Sequence, residues 1–299
     1  MDLRPIVSAV GLALLLSTLA AADDPDEPAP ITPSTLPTTA SAPNDFVPPG
    51  WVIEEQITGD LNGDGRPDAA LKMVMAPGPG SANVPVERHR ALLVLVRKAN
   101  GQWQRAAVAT KLLQCTACGG ALYGSQEAPA KVAIRKGVLI VEQEHGSRNV
   151  LSQTFCFRHE PTLDRFLLIG VNLAERDRVT GAVVEESSNF LTGRRVVTKA
   201  RFNERTQRNV AIASTRSRIA VQRTPIEDVN FEDYQVRIDA GQTRLRQGVR
   251  CGTRAAAARS PRSLPSPPVS LGALIARMEG LALCPRTSRF ASRAATPRA

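Results

Sequence analysis

Residues 51–75, WVIEEQITGDLNGDGRPDAALKMVM, decide the fold of this chain. Two apolar runs, 51–57 and 69–75, flank a loop that consists mainly of Gly, Asp and Asn. Neither run carries the i, i+3, i+4, i+7 apolar stripe of an amphipathic helix, and Gly and Asp favour a turn between them. The stretch therefore predicts two antiparallel strands joined by a short loop.

The same pattern continues to about residue 221. Asn100-Gly101 and Lys136-Gly137 are tight-turn signals between further apolar runs. We predict strands at 91–97, 103–110, 132–135, 138–142, 150–158, 165–172, 179–186 and 194–199. Consecutive hairpins at this spacing predict a mainly β fold, an antiparallel sheet or sandwich with minor helix.

The first loop is also a candidate metal site. Counted from Asp60, oxygen-bearing side chains occupy positions 1, 3, 5 and 9, and Gly65 occupies position 6. Ca²⁺ takes six to eight oxygen ligands, and Gly permits the sharp bend that a short loop around the ion needs. Arg66 would offer its backbone carbonyl. The predicted ligands are Asp60, Asn62, Asp64, Arg66 (carbonyl) and Asp68.

The spacing excludes an EF-hand, because position 12 is Leu71 where a bidentate Glu is required, and the flanks are strands. The loop instead resembles the calcium loops of FG-GAP/VCBS-type repeats, which are strand–loop–strand units. The repeat occurs once, which disfavours a multi-bladed propeller. The longer pattern GDLNGDGRPDAAL, FLLIG and NFLTG is similar to a group of exported bacterial proteins of unassigned function.

The N-terminus predicts export. Residues 1–22 hold Arg4, an apolar run over 6–19 and three Ala, an order typical of a secretory signal peptide. We therefore expect a periplasmic or extracellular protein. The segment 23–49 is rich in Pro, Ala and Thr, which predicts an extended, poorly ordered linker before a β domain at 50–235.

The net charge of +10 lies in the last fifth of the chain, since residues 237–299 contain 12 Arg, Asp239 and Glu279. This composition predicts a disordered tail over 236–299, either a genuine appendage or the product of a shifted reading frame. An Arg-rich arm for anionic partners is the alternative. Aromatic residues are 4% of the chain, which argues against a base- or sugar-stacking surface.

Three of the five cysteines, Cys115, Cys118 and Cys156, lie in the β domain. A structural disulfide among them is our first expectation in an exported protein. A zinc site completed by His159 and a redox pair at Cys115 and Cys118 are the alternatives.

No P-loop, dinucleotide fingerprint, nucleophile elbow or H-E-x-x-H motif is present. We expect a non-catalytic module with a structural Ca²⁺, with another envelope protein or a glycan as partner and no nucleic acid. The alternative is a secreted hydrolase, for which a pocket lined by His145 and carboxylates would be evidence.

Overall fold

The structure is a computed structural model that describes residues 31–78 and 87–238. The predicted signal peptide, residues 23–30 and residues 239–299 of the predicted tail lie outside the described residues.

The first sheet contains the hairpin that the opening stretch of sequence predicts. It has five antiparallel strands in the order β1-β5-β4-β3-β2. The strands are β1 Thr39–Ala40, β2 Trp51–Gly59, β3 Asp68–Met75, β4 Arg90–Arg97 and β5 Trp103–Ala109. Every residue of β3 is buried, so this strand has protein on both of its faces.

The second sheet is a meander of seven antiparallel strands in the order β12-β11-β10-β9-β8-β7-β6. The strands are β6 Ala130–Arg135, β7 Val138–Gly146, β8 Asn149–Glu160, β9 Arg165–Asp177, β10 Ala182–Asn189, β11 Arg194–Asn203 and β12 Arg208–Arg218. Lys136 and Gly137, both at positive φ (51° and 74°), form the turn between β6 and β7.

The two sheets pack face to face around one apolar core, which includes Leu92 and Val94 from the first sheet and Phe155 and Leu168 from the second. The described residues contain five short 3-10 helices: Pro33–Thr35, Pro43–Phe46, Gly120–Leu122, Ile226–Asp228 and Phe231–Asp233. None of their helices is long and apolar enough to cross a bilayer. The predicted fold class, mainly β and antiparallel, is confirmed.

The segment 31–49 differs from the expected linker. Its apolar side chains Ile31, Leu36 and Phe46 are 5%, 5% and 0% exposed, and they cover the outer face of the first sheet. β1 adds to that sheet beside β5, with Thr39 opposite Gln104. The Pro-rich composition fixes an extended path without preventing burial, and the described domain therefore begins at or before residue 31.

The segment after β12 completes the core between the sheets. Ile226, Val229 and Val236 are buried there, and Tyr234 packs edge-on against Phe155 at 5.3 Å between ring centroids. The domain therefore runs at least to residue 238, three residues past the expected boundary at 235.

A ladder of buried glutamines fixes this segment. Gln153 Nε2 donates to the carbonyls of Phe231 and Tyr234 at 2.8 and 2.6 Å, and its Oε1 accepts from Gln143 Nε2 at 3.2 Å. Gln143 Oε1 in turn accepts from the backbone N–H of Gln114 at 3.0 Å. Because buried amides and carbonyls are costly without partners, the ladder ties the C-terminal segment to the second sheet.

Two buried cations also join parts of the sandwich. Arg90 on β4 donates to the carbonyls of Gln114 and Ala128 at 3.2 and 2.8 Å and forms a two-pronged pair with Glu54 at 2.7 and 3.0 Å. Lys72 on β3 donates to the carbonyl of Ala130, the first residue of β6, at 2.9 Å. These contacts hold the 114–130 connection against the first sheet.

Candidate metal centre

The loop between β2 and β3 is folded by its own polar side chains. Asp60 accepts from the backbone N–H of Gly63 at 2.7 Å through Oδ1 and from that of Gly65 at 2.9 Å through Oδ2. Asn62 Oδ1 accepts from the N–H of Asp64 at 3.0 Å. Both glycines lie at φ 80°, a conformation that other residues adopt at a cost. The loop is therefore preorganised around Asp60.

Asp68 closes the base of the loop and is completely buried. Its Oδ2 accepts from the N–H of Leu61 at 2.9 Å, and its Oδ1 accepts from the N–H of Arg97 on β4 at 2.9 Å. Burial raises the pKa of Asp68, and the nearby charge of Asp64 acts in the same direction, while the N–H donors oppose it. Leu61, which is 2% exposed, anchors the loop in the core.

The side chain of Arg66 contributes to the loop in addition to the predicted role of its carbonyl. Its guanidinium contacts Asp64 Oδ2, and its Nε donates to the carbonyl of Arg97 at 3.2 Å. The backbone N–H of Arg66 also donates to Asp64 Oδ1 at 2.9 Å, and these contacts hold the pKa of Asp64 below its usual range. Among the described residues, neither Asp60 nor Asp68 forms an ion pair.

The donor set of the loop fits a hard cation. Each carboxylate oxygen that accepts one N–H keeps a second lone pair for a metal. In the described residues the three carboxylates do not form a group with oxygens all within 4.8 Å of one another, and Asp64 faces Arg66. Calcium coordination by all the predicted ligands therefore requires the carboxylates of the loop to move closer together.

The predicted structural disulfide is present, between Cys115 and Cys118. The sulfurs of this pair and a carboxylate oxygen of Glu87 lie within 4.8 Å of one another. A zinc site with His159 would need both sulfurs as thiolates, and the S–S bond consumes them. Cys156 lies elsewhere, fully buried on β8 between Ile140 and Ile169. The zinc alternative is thus inconsistent with the structure.

A cavity of about 250 Å³ lies beside His145. Strand register brings three of its lining residues into one row: His145 on β7 is opposite Leu151 on β8, which is opposite Glu175 on β9. Burial lowers the pKa of His145, and its Nδ1 has no hydrogen-bond partner among the described residues. The cavity is lined by His145, Gly146, Asn149, Leu151, Glu175, Gln235, Val236 and Arg237.

This lining can exchange a proton but offers no hydroxyl, thiol or amine nucleophile. The imidazole of His145 is neutral at neutral pH and can accept a proton, and the Glu175 carboxylate accepts from Asn149 Nδ2 at 3.3 Å. The lining contains no Ser, Thr, Cys or Lys. His145 was a candidate from the sequence, whereas Glu175 was not, since only the strand register brings the two into one row.

No known family model matches the chain, and no curated protein or solved structure matches it either. The FG-GAP/VCBS resemblance therefore stays a prediction from the residues of the loop.

Proposed function

We propose that the protein is an exported, non-catalytic β-rich binding module of the bacterial envelope and that its 60–68 loop binds a structural Ca²⁺. The ligands would be the side chains of Asp60, Asn62, Asp64 and Asp68 and the backbone carbonyl of Arg66. The ion supplies a fixed positive centre, and the chain supplies the preorganised loop that holds oxygens toward it.

The observation that carries the proposal is the charge balance of the loop. Three carboxylates and one guanidinium leave two negative charges on nine residues, and one of those charges belongs to the fully buried Asp68. A buried carboxylate without a countercharge is costly, and a divalent cation would balance both charges. Asp68 also bonds to β4, so the ion would stabilise three strands of the first sheet.

Calorimetry with excess Ca²⁺ or with EGTA tests the proposal. With Ca²⁺ at about 100 times its Kd, linkage adds about 2.7 kcal/mol to the free energy of unfolding. For a domain of this size we expect the Tm to fall by roughly 5–11 °C in EGTA.

A matched pair of variants makes the test specific. Asp64→Asn removes a ligand charge and should abolish most of the Ca²⁺ effect. Asp164→Asn, in the exposed turn after β8, makes the same change away from the loop and should leave the effect intact. A Tm that is identical in Ca²⁺ and EGTA would overturn the proposal.

The cavity supports a second candidate function, hydrolysis with His145 as the base that activates water. Its volume of about 250 Å³ lies just below the usual range for small-molecule sites, so a substrate would place only a small group in it. Assays with nitrophenyl acetate and nitrophenyl phosphate should show turnover that His145→Asn removes. Activity that survives this substitution would count against the cavity as the active site.

A further inference from the structure

The hairpin of β11 and β12, residues 194–218, forms a basic ribbon at one edge of the second sheet. It carries eight Lys or Arg against the single acid Glu204, a net charge of +7. The other described residues, 31–78, 87–193 and 219–238, together carry a net charge of −2. The positive charge of the described domain is therefore concentrated on this one hairpin.

Most of this charge is uncompensated. Arg195 pairs with the buried Glu186 on β10, with Nη2 and Oε2 2.6 Å apart. The other seven cations are exposed, and none forms an ion pair within the described part of the chain: Arg194, Lys199, Arg201, Arg205, Arg208, Arg216 and Arg218.

The outer strand of the ribbon also has an open backbone edge. Among the described residues β12 pairs with β11 alone, and all eleven of its residues are exposed. In an antiparallel strand about half of the N–H and C=O groups point away from the existing neighbour. Val210 and Ile212, which are 52% and 71% exposed, give the middle of this edge an apolar character.

These two features together select the chemistry of a ligand. The open edge presents N–H donors and C=O acceptors, and an added strand satisfies both. A phosphate polymer or a lipid headgroup offers mainly acceptors, so it would leave the carbonyls unpaired. A second copy of the same strand would bring like charges together, which is destabilising.

We propose that β12 is a docking edge for an extended acidic segment of a partner protein, which adds to the second sheet as an eighth strand. Carboxylates at the two ends of the segment pair with Arg208, Arg216 and Arg218, and β-branched residues in its middle cover Val210 and Ile212.

The test uses the full-length chain and a fluorescein-labelled peptide of the same length as β12, with Glu at its two ends and Val in its middle. A second peptide has the same charge but carries Pro in place of Val, so that its middle has no N–H groups to donate to β12. Fluorescence anisotropy should show binding of the first peptide and affinity about tenfold weaker for the second. Hydrogen exchange should slow at β12 amides only with the first peptide.

Charge-reversed variants separate the ribbon from the basic tail. Arg208→Glu/Arg216→Glu/Arg218→Glu should weaken binding about tenfold, since three opposite-charge pairs are lost. Arg244→Glu/Arg246→Glu/Arg250→Glu makes the same charge change outside the described residues and should leave the affinity within about twofold. Calorimetry checks that both variants fold.

Three results of the comparisons would overturn the proposal, and so would a fourth, which concerns binding itself. They are equal affinity for the two peptides, equal loss in the two variants, and binding of phosphatidylglycerol vesicles without binding of the Glu–Val peptide. Absence of any peptide binding at low ionic strength would overturn it as well.

Discussion

Phe46→Ala provides a direct test of where the domain begins. The ring of Phe46 is 0% exposed and packs with Trp51, Leu71 and Met73 against the outer face of the first sheet. Removing a fully buried Phe side chain costs about 3–5 kcal/mol, because apolar transfer energy is lost and a cavity remains. For a domain of about 200 residues this corresponds to a fall in Tm of roughly 6–20 °C.

Urea denaturation followed by Trp fluorescence measures this cost, since Trp51 lies in the same cluster. Val179→Ala is the matched control, because Val179 is 75% exposed and its truncation should change the stability by less than about 0.5 kcal/mol. If Phe46→Ala were as mild as the control, residues 31–49 would be the linker that their composition suggests, and the outer face of the first sheet would lack its cover.

Two further predictions concern the C-terminal segment and the tyrosines. Gln153→Leu should lower the free energy of unfolding by about 2–4 kcal/mol in urea denaturation, because the buried carbonyl of Tyr234 and the part-buried carbonyl of Phe231 lose their donor. A loss below about 0.5 kcal/mol would contradict the ladder. Burial raises the pKa of both Tyr123 and Tyr234 to about 12. Since unfolded tyrosine titrates near pH 10, stability should be complete below about pH 10 and fall as the pH rises toward about 12. Absorbance titration of phenolate checks this, and a native-state transition near pH 10 would contradict it.

The strands could be predicted because their signals are local. Asn100-Gly101 and Lys136-Gly137 mark turns without reference to the rest of the chain, and both turns are present in the structure. The disulfide was also predictable in kind, since the expectation of export favours a structural disulfide among Cys115, Cys118 and Cys156, and Cys115 and Cys118 are paired.

The boundaries were harder because they depend on tertiary burial. The Pro-rich composition of 31–49 gives no sign that Ile31, Leu36 and Phe46 meet the same sheet face. One signal was present: the run 69–75 is apolar at nearly every position, which is typical of a strand covered on both faces. Such a strand requires a second covering segment, and residues 31–49 supply it.

The candidate sites also combine features that the local sequence determines with features that depend on the tertiary structure. Asp60, Asn62, Asp64 and Asp68 lie within nine residues, so their meeting in one loop follows from the sequence. That Arg66 contacts Asp64 depends on side-chain conformation, and sequence spacing does not determine it. The row from His145 to Glu175 depends on the register of three strands, which long-range packing sets.

Segments near both ends of the described chain cover apolar surfaces of the sheets. Phe46 covers the outer face of the first sheet, and Val229 and Tyr234 fill the core between the two sheets. A nascent molecule that stops before residue 236 therefore exposes core surface between its sheets. Because contacts at such sequence separation close slowly, compaction should be postponed until synthesis has passed this point. For a chain that crosses a membrane unfolded, this delay would preserve a state that a secretion channel can accept.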